Sequence, residues 1–374
     1  MKMVIKHKRR PAFTLVELLV STAIITLLML VLVSITRQTS DTWRYTSGKI
    51  EQFRETRGAF ETMTTRIGQA TLNTYWDYGL DAKGRPTRYE RRSDLRFISG
   101  PNLIAATSGP AKRVGHAIFF QAALGFTNEP KYNGLENLLN TWGYFVERGD
   151  DKLLRPSFIT QKMAPYRERF RLMEFSQPAE SNSIYFYTSG RDQAPPRRQN
   201  KTYSAKEWFQ KPLDSPTGGQ PPPVHVTAEN VVALILLPRL SKRDEQEVKG
   251  QNASLDESPL APDYGYDSSP AGGNTATRSD KRLNSLAQLP PVVQVTMVAI
   301  DEPSALRMSA NDAESLIGFT NSHFSKSSDY SEDLTLTSPT NSLEKKLVAM
   351  KANYRVFTTN VQIRGAKWSR EQIK

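Results

Sequence analysis

The sequence contains no cysteine. That excludes disulfide staples, thiol nucleophiles and cysteine-held zinc. Histidine is scarce: His7, His116, His225 and His323 are the only four, and none forms an HExxH pair. GxSxG, P-loop and dinucleotide fingerprints are also missing, so no familiar catalytic constellation can be assembled. Long apolar runs are rare as well. After residue 35 no stretch is long and apolar enough to cross a bilayer. Proline is plentiful, at 23 residues, and mean hydropathy is −0.52, so much of the later chain reads as loop. Without disulfides the body must be held by a packed core, and its length allows one.

The one long apolar run is residues 13–35, FTLVELLVSTAIITLLMLVLVSI. As a helix it would rise about 34 Å, enough for a hydrocarbon layer of about 30 Å. It holds a single charge, Glu17. Before it comes MKMVIKHKRRPA, with five Lys and Arg and no acid, which marks the cytoplasmic side. The net charge is +12, so without that segment it falls to +7. No small-residue cleavage pattern follows the run, and the run is longer than an ordinary signal-peptide core. A carboxylate inside an apolar span costs about 2.5 to 3.5 kcal/mol at mid-bilayer, which makes Glu17 a functional candidate. The alternative is that Glu17 snorkels to the headgroups from the first helical turns.

The string Ala12-Phe13-Thr14-Leu15-Val16-Glu17-Leu18-Leu19 resembles the N-terminal motif of type IV pilins and type II secretion pseudopilins. The resemblance implies cleavage by a prepilin peptidase between Ala12 and Phe13, where most members carry Gly before the cut. It implies N-methylation of Phe13 and an assembly role for Glu17. It also implies a fold: α+β and pilin-like, a long N-terminal helix, transmembrane in its first half, packed on an antiparallel β-sheet body with long loop insertions. The amine freed at Phe13 could pair with Glu17 of a neighbouring subunit in low dielectric and fix the stagger between helices. Ser21, Thr22 and Thr26 offer small polar groups for helix–helix hydrogen bonds.

The expected organisation is a cytoplasmic leader over residues 1–12, a transmembrane half-helix over 13–35, an amphipathic half over 36–72 and an extracytoplasmic domain over 73–374. In the second half-helix Ile50, Phe53, Phe60, Met63, Ile67 and Ala70 recur at helical spacing. Tyr75, Trp76 and Tyr78 should end it, with a loop at Asp81, Gly84 and Pro86. Strands are expected at 94–99, 115–123, 141–148, 167–177, 183–188, 227–240, 290–302 and 353–367. Helical turns are expected at 135–140 and 206–209 and a helix at 341–352; 315–319 is ambiguous and 320–340 reads as loop. The two strongest strands, 227–240 and 290–302, should pair antiparallel around a flexible polar insertion at 241–289.

Other candidates follow from charge. Arg88, Arg91 and Arg92, with Tyr89 among them, could form a site for DNA or another anionic surface; the simpler reading is a solvated loop with Glu90 and Asp94 as local partners. Asp256, Glu257, Asp263 and Asp267 in the insertion carry ligand chemistry for calcium but not the spacing of an EF-hand. Glu90 with Asp94, or Asp150 with Asp151, could be offered as acid and base, and nothing in the pattern selects them. No catalytic residue, metal or cofactor is therefore assigned, and an enzymatic role is not expected. Segments ATLNTYWDYG, RYERRSDLRFISG, AENVVALILLPRLS, LPPVVQVTMVAIDE and NYRVFTTNVQIRGAKWS together resemble the Verru_Chthon cassette protein C family, itself similar to J-type minor pseudopilins. The resemblance implies a minor subunit of a type II secretion or pilus-like envelope structure. Its partners would be the peptidase, other pilins or pseudopilins and the bacterial inner membrane, with the body periplasmic or at a tip.

Overall fold

The computed structural model describes residues 14–80, 85–104, 111–152, 155–156, 158–184, 206–214, 222–251, 258–269, 283–338 and 341–367. The chain divides into two units, Met1–Gln52 and Phe53–Lys374. Helix α1 (Leu15–Ile67) begins in the first and ends in the second.

In the first unit the segment Leu15–Trp43 has a mean hydropathy of 2.8 and is exposed along its length. It is the only helix among the described residues that is long and apolar enough to cross a membrane. Three of its hydroxyls bond within the helix. Ser21, Thr22 and Thr26 donate their hydroxyls to the carbonyls of Glu17, Leu19 and Thr22, at 2.6, 3.0 and 2.7 Å. These groups were expected to bond between helices; in the isolated chain they bond backward to the carbonyls one turn earlier.

In the second unit α1 turns amphipathic as its spacing predicts. Phe60, Met63 and Ile67 lie on one face and are buried. The helix stops at Ile67 rather than at residue 72. The backbone beyond Gly68 turns: the Ala70 N–H bonds the Ile67 carbonyl and the Thr71 N–H reaches across to the Gln121 carbonyl. Tyr75, Trp76 and Tyr78 accordingly lie in a strand, not at a helix end.

Eleven strands are seen among the described residues: β1 (Tyr75–Leu80), β2 (Pro86–Arg92), β3 (Ile98–Pro101), β4 (Lys112–Ala123), β5 (Leu139–Gly149), β6 (Arg169–Gln177), β7 (Val224–Glu229), β8 (Val231–Arg239), β9 (Tyr266–Asp267), β10 (Val292–Ile300) and β11 (Tyr354–Gln362). They form a β1–β2 hairpin, a six-stranded sheet ordered β7-β6-β5-β4-β3-β9 and a three-stranded sheet ordered β11-β10-β8. Neighbours pair antiparallel throughout. The layout is α+β and pilin-like: a long apolar N-terminal helix and antiparallel sheets.

The six-stranded sheet is buried on both faces, which explains why β4 reads as a near-continuous apolar run. Ile118 and Phe120 face a core shared with Leu234, Leu236, Val295 and Met297 of the three-stranded sheet. Phe119 faces the other way with Phe145 and Phe175, under helix α2 (Glu207–Asp214), whose Phe209 stacks on Phe119 at 4.0 Å. Gly143 is Phe119's cross-strand partner, and a Cβ there would lie 2.2 Å from the Phe119 ring. Glycine therefore makes room for the ring.

A row of alternating charge also crosses this sheet. The register places Arg113 opposite Glu147, Glu147 opposite Arg171, and Arg171 opposite Glu229. Both arginine side chains are at least nine-tenths buried.

The expected single strand at 227–240 is two strands in two sheets. The chain switches at Asn230, which has φ +61°, a left-handed value that asparagine tolerates better than most residues. Its N–H bonds the Phe170 carbonyl, and its carbonyl accepts from Ile300. Strands β8 and β10 pair antiparallel as expected. The insertion between them is not merely a loop: its described parts include helix α3 (Lys242–Gln251), buried Leu260, Tyr264 and Tyr266, and the short strand β9. Scattered aromatics anchor the polar chain, and the Tyr266 hydroxyl donates to the Gln288 carbonyl at 2.9 Å.

Smaller differences follow. The strand expected at 94–99 lies at β3, and the turn expected at 135–140 gives way to a 3₁₀ turn at Pro130–Tyr132 and the start of β5. Helix α4 (Glu302–Arg307) and the start of α5 (Ala310–Ser322) fall where no element was expected beyond the strand ending at Glu302, while the ambiguous 315–319 lies inside α5 and the expected loop 320–340 contains α6 (Tyr330–Leu334); α5 opens with a Ser309–Asp312 capping box. Helix α7 (Leu343–Ala349) lies within the expected helix. Most of the strand expected at 183–188 falls outside the described residues.

Candidate processing and assembly site

The first residues of α1 form a reciprocal cap. The Thr14 hydroxyl accepts the Glu17 N–H at 3.3 Å, and Glu17 Oε2 accepts both the Thr14 N–H at 3.1 Å and the Thr14 hydroxyl at 3.0 Å. Thr14-Leu15-Val16-Glu17 is thus a T-x-x-E capping box at the edge of an apolar helix. A carboxylate here also meets the positive end of the helix dipole. Among the described residues the bonds to the Glu17 carboxylate all fall on Oε2, and Oε1 accepts none. Ala12 and Phe13 lie outside the described residues.

Two of the clustered arginines, Arg91 and Arg92, part company on the hairpin. Arg91 lies opposite Trp76 and Arg92 opposite Tyr75, so the two occupy successive positions on β2 and opposite faces of the hairpin. Arg91 donates Nε–H to the Leu286 carbonyl at 3.3 Å, and burial pushes its pKa down, opposed by the nearby Tyr266. Arg92 sits 3.6 Å from Asp77 and donates to the Tyr78 carbonyl at 3.3 Å. Arg88 pairs with Gly79 in the register; its side chain lies outside the described set. Strand alternation is what separates residues that are adjacent in sequence.

The acidic candidates are likewise engaged elsewhere. Asp94 accepts from Asn73 and from the Tyr75 hydroxyl, both at 3.1 Å; Asp150 accepts the nearby Lys152 N–H, and Asp151 accepts the N–H of Arg167 and pairs with Arg155. Asp263 and Asp267 accept from Gly265 and Ser269 in their own turns. Asp256 and Glu257 lie outside the described residues. Among the described residues no three metal-ligating side chains cluster.

Two features escaped sequence reasoning. Arg66, near the end of α1, bonds the Tyr144 hydroxyl at 3.2 Å, pairs with Glu174 and lies 4.2 Å from the centre of the Trp142 ring. No local pattern announces these partners, which lie far along the chain. The capping box, by contrast, could have been read from its T-x-x-E spacing.

Residues 7–33 match the family model described as the prokaryotic N-terminal methylation motif. No curated protein and no solved structure matches the chain. With the apolar helix, the motif supports a type IV pilin-like protein and fits a precursor of the kind prepilin peptidase processes. Such processing implies assembly with other pilins.

Proposed function

We propose that the chain is a minor pseudopilin-like structural subunit and not an enzyme. In this reading it is held in the bacterial inner membrane with residues 1–12 in the cytoplasm and the body in the periplasm. Prepilin peptidase cuts between Ala12 and Phe13 and methylates Phe13. The subunit then joins other pilins or pseudopilins in a type II secretion or type IV pilus-like structure. The observation that carries this reading is the methylation motif at residues 7–33, placed directly at the start of an uninterrupted apolar helix whose first turn holds Glu17.

The chemistry is one of register rather than turnover. Glu17 Oε2 closes the helix cap, leaving Oε1 to accept the new Phe13 amine of an adjoining subunit. In hydrocarbon each charge would be costly alone, so the pair favours the stagger that brings them together.

Mass spectrometry of the chain purified from cells with and without the peptidase tests this. The expected terminus in the first case is Phe13 carrying one added methyl group. An intact Met1 terminus in the presence of active peptidase would contradict the proposal.

A further inference from the structure

The three-stranded sheet ends in β11, and the outer edge of that strand is open. Asp301 donates its N–H to the Asn353 carbonyl at 3.0 Å, and Ile363 donates to the Pro291 carbonyl at 3.1 Å. These two bonds fix the parity of the β10–β11 ladder: odd-numbered residues of β11 turn their N–H and carbonyl groups to β10. Val356, Thr358 and Asn360 therefore turn theirs outward. Among the described residues no group bonds the N–H or carbonyl of these three. The opposite edge of the sheet differs, because the Leu236 N–H of β8 is taken by His116 of β4.

Native proteins commonly blunt an edge strand with proline, internal charge or a bulge. Between Val356 and Gln362 β11 has no proline and no charge, and its register with β10 runs unbroken. Thr358, Asn360 and Gln362 are exposed. Charge stands at the ends instead. Lys351 and Arg355 lie at one end, Arg364 and Lys367 at the other, and all four are exposed. No acid lies between Lys351 and Lys367 in the sequence. Glu344, the acid that bears on Tyr354, accepts the Leu336 N–H. From Arg355 to Arg364 an extended chain spans about 30 Å.

We infer that β11 is the docking edge for an acidic extended segment of another protein, which adds to the sheet as a fourth strand. The outward N–H and carbonyl groups of Val356, Thr358 and Asn360 supply the ladder, and carboxylates at the ends of the segment meet the four cations. A second copy of β11 is the poorer occupant. It would bring the same cations against this set, and like charges repel. The inference does not rest on the processing and assembly reading.

Fluorescence anisotropy of a dye-labelled peptide with the full chain in detergent micelles tests the inference. The peptide alternates Thr and Val and carries glutamates at both ends. One comparison peptide replaces the glutamates by lysines. Another is N-methylated along its backbone, which removes the ladder donors and keeps the charge. The acidic peptide is expected to bind at least about tenfold more tightly than either comparison. Asn360→Pro removes an outward N–H where an edge strand tolerates proline, and should weaken binding by about tenfold. Arg364→Glu reverses one end charge and should weaken it by about the same factor. Arg364 is exposed, so this second variant reads the site even where the proline lowers the melting temperature. Absence of binding by the acidic peptide would overturn the inference. So would equal affinity for the lysine or N-methylated peptide, or unchanged affinity in Arg364→Glu. Self-association of the chain that excludes the peptide would assign the edge to a second copy and overturn it as well.

Discussion

At the scale of single residues, two polar groups serve the chain in opposite ways. Glu17 is exposed at a helix start, and among the described residues only one of its carboxylate oxygens accepts a bond. His116 is fully enclosed. Its Nδ1 accepts the Leu236 N–H at 3.1 Å, which leaves Nε2 to donate to the Phe324 carbonyl at 3.3 Å. The neutral ring thus ties β4 to β8 of the other sheet, and burial pushes its pKa down to about 4. The unfolded chain, with a histidine pKa near 6.5, takes up a proton before the folded one does. Stability is therefore full above about pH 6.5 and is lost as pH falls toward about 4, by about 3 kcal/mol from this group. Urea unfolding of the full chain in detergent at several pH values checks this. The parent should lose about 3 kcal/mol more across that range than His116→Asn does, and parallel losses would remove the assignment.

At the scale of elements, alternation and register decide what meets. The same alternation that splits Arg91 from Arg92 aligns Arg113, Glu147, Arg171 and Glu229 across β4, β5, β6 and β7. Glu147 is the shared acid, 3.8 Å from Arg113 and directly opposite Arg171. A one-residue slip of β5 would send it to the other face and remove the acid between two largely buried guanidiniums. Glu147→Gln keeps the shape and removes the charge, so it should cost about 3 kcal/mol of unfolding free energy. Glu168→Gln, at an exposed carboxylate paired with Arg148, should cost less than about 1 kcal/mol. Equal losses in the two variants would show that the row does not hold the register.

At the scale of the whole molecule, local signals were legible and long-range ones were not. The apolar helix, the amphipathic turns after it (though not their end at Ile67), the β8–β10 pairing and strands β5, β6 and β11 each follow from periodicity or β-branched content. The sheet switch at Asn230 was not legible because a left-handed residue between two β-branched runs leaves the hydrophobic pattern unbroken. The order within the insertion was missed because a few aromatics, Tyr264 and Tyr266 among them, outweigh its polar composition once a sheet edge is there to receive them. Of the candidate site, Glu17 was visible as the lone charge of the span. That Arg91 and Arg92 fall on opposite faces was not legible, since proximity in sequence says nothing about face until the strand is known.

The central claim is that Glu17 carries a charge another subunit needs. Glu17→Gln isolates that charge, because glutamine also closes a T-x-x-E cap and the helix start is preserved. The decisive measurement is recovery of partner pilins co-purified from membranes with the Glu17→Gln chain and with the parent, each confirmed by mass to be cut and methylated. The account expects the variant to recover about tenfold less partner, as loss of a charge pair from a low-dielectric contact implies. Equal recovery from equally processed chains would contradict it.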